Sequence, residues 1–286
     1  MMMGTCSWKY DSWQGIVYPQ QGKFNHLEEY AKRFNTVEVD QWFWSLFGVD
    51  KVKLPDVKTV NEYLQVVPRG FKFTVKIPNS ITLTHFYSHG KPRGTPLEPN
   101  PHFFSPALFR EFLERIKPLR DQIGVLMFQF EYLNRQKMAS QADFFQKFAE
   151  FIRHCPRDYR YAVETRNPNY LNERYFEFIN RHDLYHVFVQ GYYMPHIIEI
   201  YKKYRDFIRE LAVIRLMGPD RNAIEKKSAN HWSAIIDPKD SELNDIVTIL
   251  HQLEERKIDV YLNVNNHYEG SAPLTIRKIE EMLKSQ

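Results

Sequence analysis

Residues 123–165 run IGVLMFQFEYLNRQKMASQADFFQKFAEFIRHCPRDYRYAVET and hold one complete unit of the fold. The opening Ile123-Gly124-Val125-Leu126-Met127-Phe128-Gln129 is short, apolar and rich in strand formers. Phe144, Phe145, Phe148, Ala149 and Ile152 then recur at the spacing of one helix face. A second strand-like run follows over 160–165. Strand, helix and strand in that order predict two parallel strands joined by a helical crossover.

The same unit recurs in both directions from there. Further strand-like runs lie at 2–6, 36–40, 71–76, 185–190, 211–216 and 258–264. Leu27, Tyr30, Ala31 and Phe34 carry helical spacing, and so do 57–65, 107–119, 172–182, 196–209, 241–256 and 274–284. Eight strands alternating with eight helices predict an α/β fold, a (β/α)8 barrel of the TIM type. The rival, a doubly wound open sheet, would use about five to seven strands. No linker, composition shift or internal repeat divides the chain, so a single domain over 1–286 is expected.

Composition removes several classes of function. Hydrophobic residues make up 43% and charged residues 26%, which suits a chain that folds around a core. The net charge of +4 is only mildly basic and does not by itself argue for nucleic acid. No apolar run reaches the ~18 residues of a membrane span. The Met1-Met2-Met3-Gly4-Thr5 opening has no signal-peptide pattern, so a cytoplasmic, non-membrane protein is expected. Two cysteines, Cys6 and Cys155, cannot build a disulfide framework or a four-cysteine zinc site.

Connections entering strands look short, whereas those leaving the first, third and seventh strands are long: 7–23, 78–105 and 218–240. In a barrel such loops gather at the C-terminal face, where active sites sit. Strand parity then sorts the polar groups. Glu38 and Asp40 oppose Val37 and Val39, and Thr74 and Lys76 oppose Phe73 and Val75. Glu164 and Arg166 oppose Val163 and Thr165. Arg215 opposes Ile214 and Leu216, and Asn263 and Asn265 share a face with Tyr261. With the apolar face on the helices, the polar face is expected in the barrel lumen. Charges buried there must neutralise one another or face a solvated pocket, so an internal ion-pair network is the alternative to a ligand site.

Seven segments, in order, resemble the YecE-like family (domain of unknown function 72). They are Gly4-Thr5-Cys6-Ser7-Trp8-Lys9-Tyr10 with Trp13, Gly15, Tyr18 and Pro19; Phe34-Asn35-Thr36-Val37-Glu38-Val39-Asp40; and Phe71 to Lys76 with Ile81, Thr82 and His85. Gly124 to Phe130, Ala162-Val163-Glu164-Thr165-Arg166, Ile214-Arg215, and Val264-Asn265-Asn266 with Gly270 and Ala272 complete the series. The resemblance implies a TIM-type barrel and no particular reaction. Three places depart from the family pattern. Asp40-Gln41-Trp42-Phe43-Trp44 stands for Asn-Ser-Thr-Phe-Tyr, Met217 for a His, and His267 for an Asp.

Three kinds of function follow from these groups. The first is an enzyme, a hydrolase or lyase working by general acid/base catalysis on a small anionic substrate such as a phosphorylated or acidic sugar. Lys76, Arg166 and Arg215 would receive its anion. Gln129, Asn265, Asn266 and His267 would hold other polar groups, with Asp40 beside them, and Trp8, Tyr10, Trp42 and Trp44 would form stacking walls or pack the rim. His85, Glu164 and Glu38 are the candidate acids and bases. Glu38 and Glu164 sit three strands apart, which would put their carboxyls about 5–8 Å apart and admits a glycosidase. Glycosidases of this fold favour other strands, however. The second function is nucleic-acid binding or phosphodiester cleavage, resting on Lys202-Lys203-Tyr204-Arg205 and on Lys91 and Arg93. The third is a non-catalytic binder or scaffold. No cofactor is expected. A divalent metal held by Glu38, Asp40, Glu164, His85 and His267 is a minor alternative, because their spacing forms no ligand motif. The sequence leaves oligomeric partners open.

Overall fold

The computed structural model describes residues 1–87, 92 and 95–285. Eight parallel strands close into a barrel: β1 (Met2–Thr5), β2 (Thr36–Val39), β5 (Lys72–Lys76), β6 (Ile123–Gln129), β7 (Tyr161–Glu164), β8 (Leu184–Gly191), β9 (Leu211–Gly218) and β10 (Asp259–Val264). Around the ring the order is β1, β10, β9, β8, β7, β6, β5, β2, so sequence neighbours are neighbours in space. The eight predicted strands are these eight.

Seven helices cross between the strands, α1 (His26–Ala31), α2 (Val57–Val66), α4 (Pro106–Ile116), α5 (Gln141–Ile152), α6 (Glu173–Arg181), α7 (Ile197–Tyr204) and α9 (Asp240–Glu255), and α10 (Ala272–Ser285) follows the last strand. Their starts follow local chemistry. Asn25, Asp56, Ser105, Ser140 and Asn172 each accept a backbone N–H from the first turn of the helix they cap. α9 has no such residue and borrows a distant one, since buried Glu269 accepts from the Lys239 amide at 2.8 Å.

The expected alternation of faces holds. Val37, Val39, Phe73, Val75, Val163, Ile214, Leu216, Val260, Leu262 and Val264 pack outward against the helices. Cys6, Val125, Met127, Ala162, Val187, Val213 and Tyr261 fill the lumen as a separate apolar cluster. Neighbouring strands approach closely at β1, where a Cβ on Gly4 would sit 1.9 Å from the Thr36 carbonyl oxygen. Tyr30 pins the same corner: its hydroxyl accepts from the Thr5 amide at 2.8 Å and donates to the Thr36 carbonyl at 3.0 Å.

The loops after the first, third and seventh barrel strands are long, as expected, and two of them carry short helices: α3 (Asn79–Thr82) and α8 (Arg221–Ser228). The connection after β2 is also elaborate. It forms a hairpin of β3 (Leu46–Gly48) and β4 (Lys51–Val52), docked through Asn79, whose side-chain oxygen accepts from the Ser45 and Leu46 amides. Two-residue and three-residue strands leave too little periodicity for sequence patterning to detect.

Candidate active site at the barrel mouth

Arg215 lies at the centre of the C-terminal end of the barrel, 2% exposed. Its Nε and Nη2 donate to the two Glu38 oxygens, both at 2.7 Å, and its Nη1 donates to Glu164 Oε2 at 2.5 Å. Gln129 Oε1 accepts from the same Nη1 at 3.3 Å. Arg166 Nη2 lies 2.5 Å from Glu164 Oε1, an ion pair by distance. Glu164 Oε1 nonetheless lacks a well-directed hydrogen bond, so its lone pairs are incompletely used. Four charged side chains from β2, β7, β9 and the β7 exit loop thus close into one balanced chain. Burial alone would raise the Glu164 carboxyl, but Arg166, Arg215 and Lys76 outweigh it and hold it at about 2.

This arrangement revises two expectations. Arg215 spends three charge-assisted hydrogen bonds on carboxylates of its own barrel, so its charge is neutralised from within and it is a weaker receptor for a substrate anion than an unpaired guanidinium. Glu38 and Glu164 face each other across its guanidinium instead of across an open gap, so they do not present a glycosidase pair. The ion-pair network weighed against a ligand site is present, and it forms the floor of a cavity.

That cavity, about 740 Å³, is lined at its base by Cys6, Glu38, Asp40, Lys76, Gln129 and Arg215. Tyr10, Phe43, Arg166, Tyr192, Arg221 and His267 form much of its wall. Trp44, Tyr87, Tyr132 and Tyr193 stand exposed at its rim. Two arcs differ in chemistry. On the β2–β5 side, Asp40 has its carboxyl pushed up to about 6 by burial, with Glu38 adding to that and Lys76 and Arg215 opposing it. Lys76 next to it is 7% exposed, and burial and then Arg215 lower its amine against the pull of Glu38, Glu164 and Asp40. Its Nζ sits 4.1 Å from the centre of the Phe43 ring. Lys76 has no hydrogen bond or ion pair among the described residues. On the β7–β9 side, Arg166 stacks over Tyr192 at 4.5 Å. Arg221, at the start of α8, pairs with Glu225 at 2.6 Å, and Glu225 also contacts His267 at 3.2 Å. Burial and Arg221 lower the His267 imidazole against the pull of Glu225.

The other expected residues divide. Tyr10 and Asn265 line the cavity, and Asn265 Oδ1 accepts the His267 amide at 2.9 Å. Trp8 is 1% exposed and packs edge-on against Tyr63, and Trp42 stacks on the same ring, so both are core residues. Asn266 is buried and accepts the Ala272 amide at 2.9 Å, fixing the turn into α10. His85 lies outside the cavity lining, bridged to Pro99, with Nδ1 2.9 Å from Thr84 Oγ1. Cys6 is buried with Sγ 3.9 Å from Met217 Sδ, and burial raises its thiol well above the usual range. Lys91 and Arg93 lie outside the described residues. Lys202 and Lys203 are solvated on the last turn of α7 and line no part of this cavity. Among the described residues no three His, Cys, Asp or Glu side chains are grouped to hold a metal ion. No helix among them is long and apolar enough to cross a membrane.

Sequence reasoning missed Phe43 as a partner of Lys76, and Arg221, Tyr192 and Tyr193 as lining residues. Gly191-Tyr192-Tyr193 is the subtlest case. All three residues take positive φ, which turns the chain sharply at the end of β8 and sets both rings at the mouth. A glycine closing an apolar run was the only signal.

A closed eight-stranded parallel barrel with its polar cavity at the C-terminal face belongs to the TIM-barrel class. The family model described as a protein of unknown function, DUF72, matches residues 2–286, and the chain belongs to that family. A DUF72 family protein from Thermotoga maritima is similar in structure, with 21% identity, coverage of 99% of this chain and 98% of that one, and a TM-score of 0.68. A DUF72 family protein from Enterococcus faecalis gives 17% identity, coverage of 99% and 95%, and a TM-score of 0.69. No curated protein matches the sequence.

Proposed function

We propose that the barrel mouth binds a small organic anion and performs acid–base chemistry on it, of lyase or hydrolase type, with Asp40 as the proton carrier. The observation that carries this reading is the juxtaposition at the cavity base of Asp40, whose carboxyl burial raises to about 6, with Lys76, a buried amine that makes no hydrogen bond or ion pair among the described residues. A carboxyl titrating near 6 can both accept and return a proton under physiological conditions. Glu164, held at about 2, stays ionised and is a poor proton donor, so its role is to fix Arg215 and Arg166.

The anion would sit on the opposite arc, at Arg166 and Arg221, whose planar guanidinium groups suit carboxylate or phosphate. The cavity volume falls within the usual ~300–1,000 Å³ of small-molecule sites, and the aromatic rim offers stacking faces to a sugar or ring. The nucleic-acid reading draws no support from this cavity, because the basic run on α7 lies apart from it.

Thermal-shift measurements on wild type and Arg166→Gln/Arg221→Gln test the proposal against sugar phosphates, acidic sugars, 2-oxo acids, nucleotides and oligonucleotides. A ligand at 100 times its Kd stabilises by about 2.7 kcal/mol, worth several degrees in a chain of this size. A small anion should shift wild type and not the double variant. Shifts from oligonucleotides alone, fading with salt, would sink it. Binding without turnover of any bound compound would reduce it to a binder.

A further inference from the structure

Lys76 differs from the other inward-facing cations of the barrel strands. Arg215 is bound by two carboxylates, whereas Lys76, on a neighbouring arc of the same ring, has no such partner among the described residues. A lysine present only to balance charge would be expected to take one, because an unpaired buried ammonium is costly. Near-complete burial, with the fixed positive charge of Arg215 close by, lowers its amine against the opposing pull of Glu38, Glu164 and Asp40, and the Phe43 ring at 4.1 Å offers its face to a cation formed on Nζ. Proteins activate lysine nucleophiles by desolvation and a neighbouring cation. Lys76 is also the last residue of β5, at the barrel face where reacting groups are displayed.

We infer that Lys76 is a covalent nucleophile that forms an imine with a small aldehyde or ketone carrying a carboxylate or phosphate. The inference rests on the anion-site reading above and names its substrate class. In the step, the neutral Nζ attacks the carbonyl carbon, forming an N–C bond and opening the C=O bond to a carbinolamine. The carbinolamine oxygen leaves as water, taking one hydrogen from the amine and one proton from Asp40. The product is a protonated imine, and Asp40 is left ionised. Atoms and charge balance without an oxidant or a metal. The iminium inherits the position over the Phe43 face, which stabilises a cation there. Asp40, once ionised, is placed to take a proton from the carbon beside the imine, the entry to lyase chemistry.

The test is sodium borohydride reduction of the full-length protein with glyoxylate, pyruvate or glycolaldehyde phosphate, followed by peptide mass spectrometry. Wild type and Lys76→Met are compared, with thermal melting of both as a check on folding and binding. One probe should label Lys76 about ten-fold above any exposed lysine, because its desolvated amine gives up its proton more readily than a solvated one. The adduct should be absent in Lys76→Met. Labelling spread evenly over exposed lysines overturns the imine, as does a probe that shifts the melting of wild type without modifying Lys76. The anion site survives either result. If no probe labels Lys76 and none shifts melting, both readings fall.

Discussion

Arg215 makes three charge-assisted hydrogen bonds to carboxylates inside the barrel. Removing it would strand Glu38 and Glu164, both essentially inaccessible to water. Arg215→Met should therefore cost about 3–5 kcal/mol in urea unfolding. Adding Glu38→Gln and Glu164→Gln to it should recover much of that loss. If the single substitution proved neutral, the network would not be holding the floor. Asp40 behaves in the opposite sense. Its folded-state carboxyl titrates at about 6, above its ordinary 3.8, so ionisation costs stability at neutral pH and the cost fades as pH falls through 6. Asp40→Asn should melt above wild type near pH 7, and the gap should close toward about pH 4. A gap independent of pH would mean that Asp40 is an ordinary carboxylate.

Which of these residues share a face was legible from period-two parity within each element, because barrel strands hold it strictly. Parity placed Glu38, Lys76, Glu164 and Arg215 in the lumen. It could not say which of them pair, since that depends on register and side-chain reach across the ring. The rim was the least legible part. The β3–β4 hairpin, the α8 helix bearing Arg221 and the Gly191-Tyr192-Tyr193 turn all lie in exit loops, where no periodicity constrains the chain. His85 and Trp8 illustrate the converse, because motif membership marked them while the structure gives them bonding and packing roles. The loops also make a prediction. Gly218 ends β9 with φ of +77°, and a Cβ there would lie 2.2 Å from the His267 carbonyl oxygen. Gly218→Ala should displace the His267 loop, destabilise the fold by about 1–3 kcal/mol and weaken ligand binding at the mouth. Unchanged melting and binding would show that the loop yields without consequence.

At the scale of the molecule, the barrel separates structure from chemistry by height. Helix-facing residues form one apolar shell, a second apolar cluster fills much of the lumen, and Glu38, Asp40, Lys76, Arg166 and Arg215 gather at the mouth. That layering makes acid stability depend on the floor. Glu164 is held at about 2 against an ordinary 4.5, so its stabilising contribution is full above pH 4.5 and is lost as pH falls toward 2. Wild type should lose stability steeply in that window, and Glu164→Gln should show a flatter acid limb from a lower starting stability. Parallel acid limbs would place the acid-labile group elsewhere.

The most direct test of the site is a crystal structure of the protein grown with the small anion that most raises its melting temperature. The anionic group should lie in the mouth against Arg166 or Arg221, with the rest of the molecule directed toward Asp40 and Lys76. An anion bound instead at Lys202 and Lys203 on the outer face of α7, with nothing in the cavity, would contradict the assignment of the barrel mouth as the functional site.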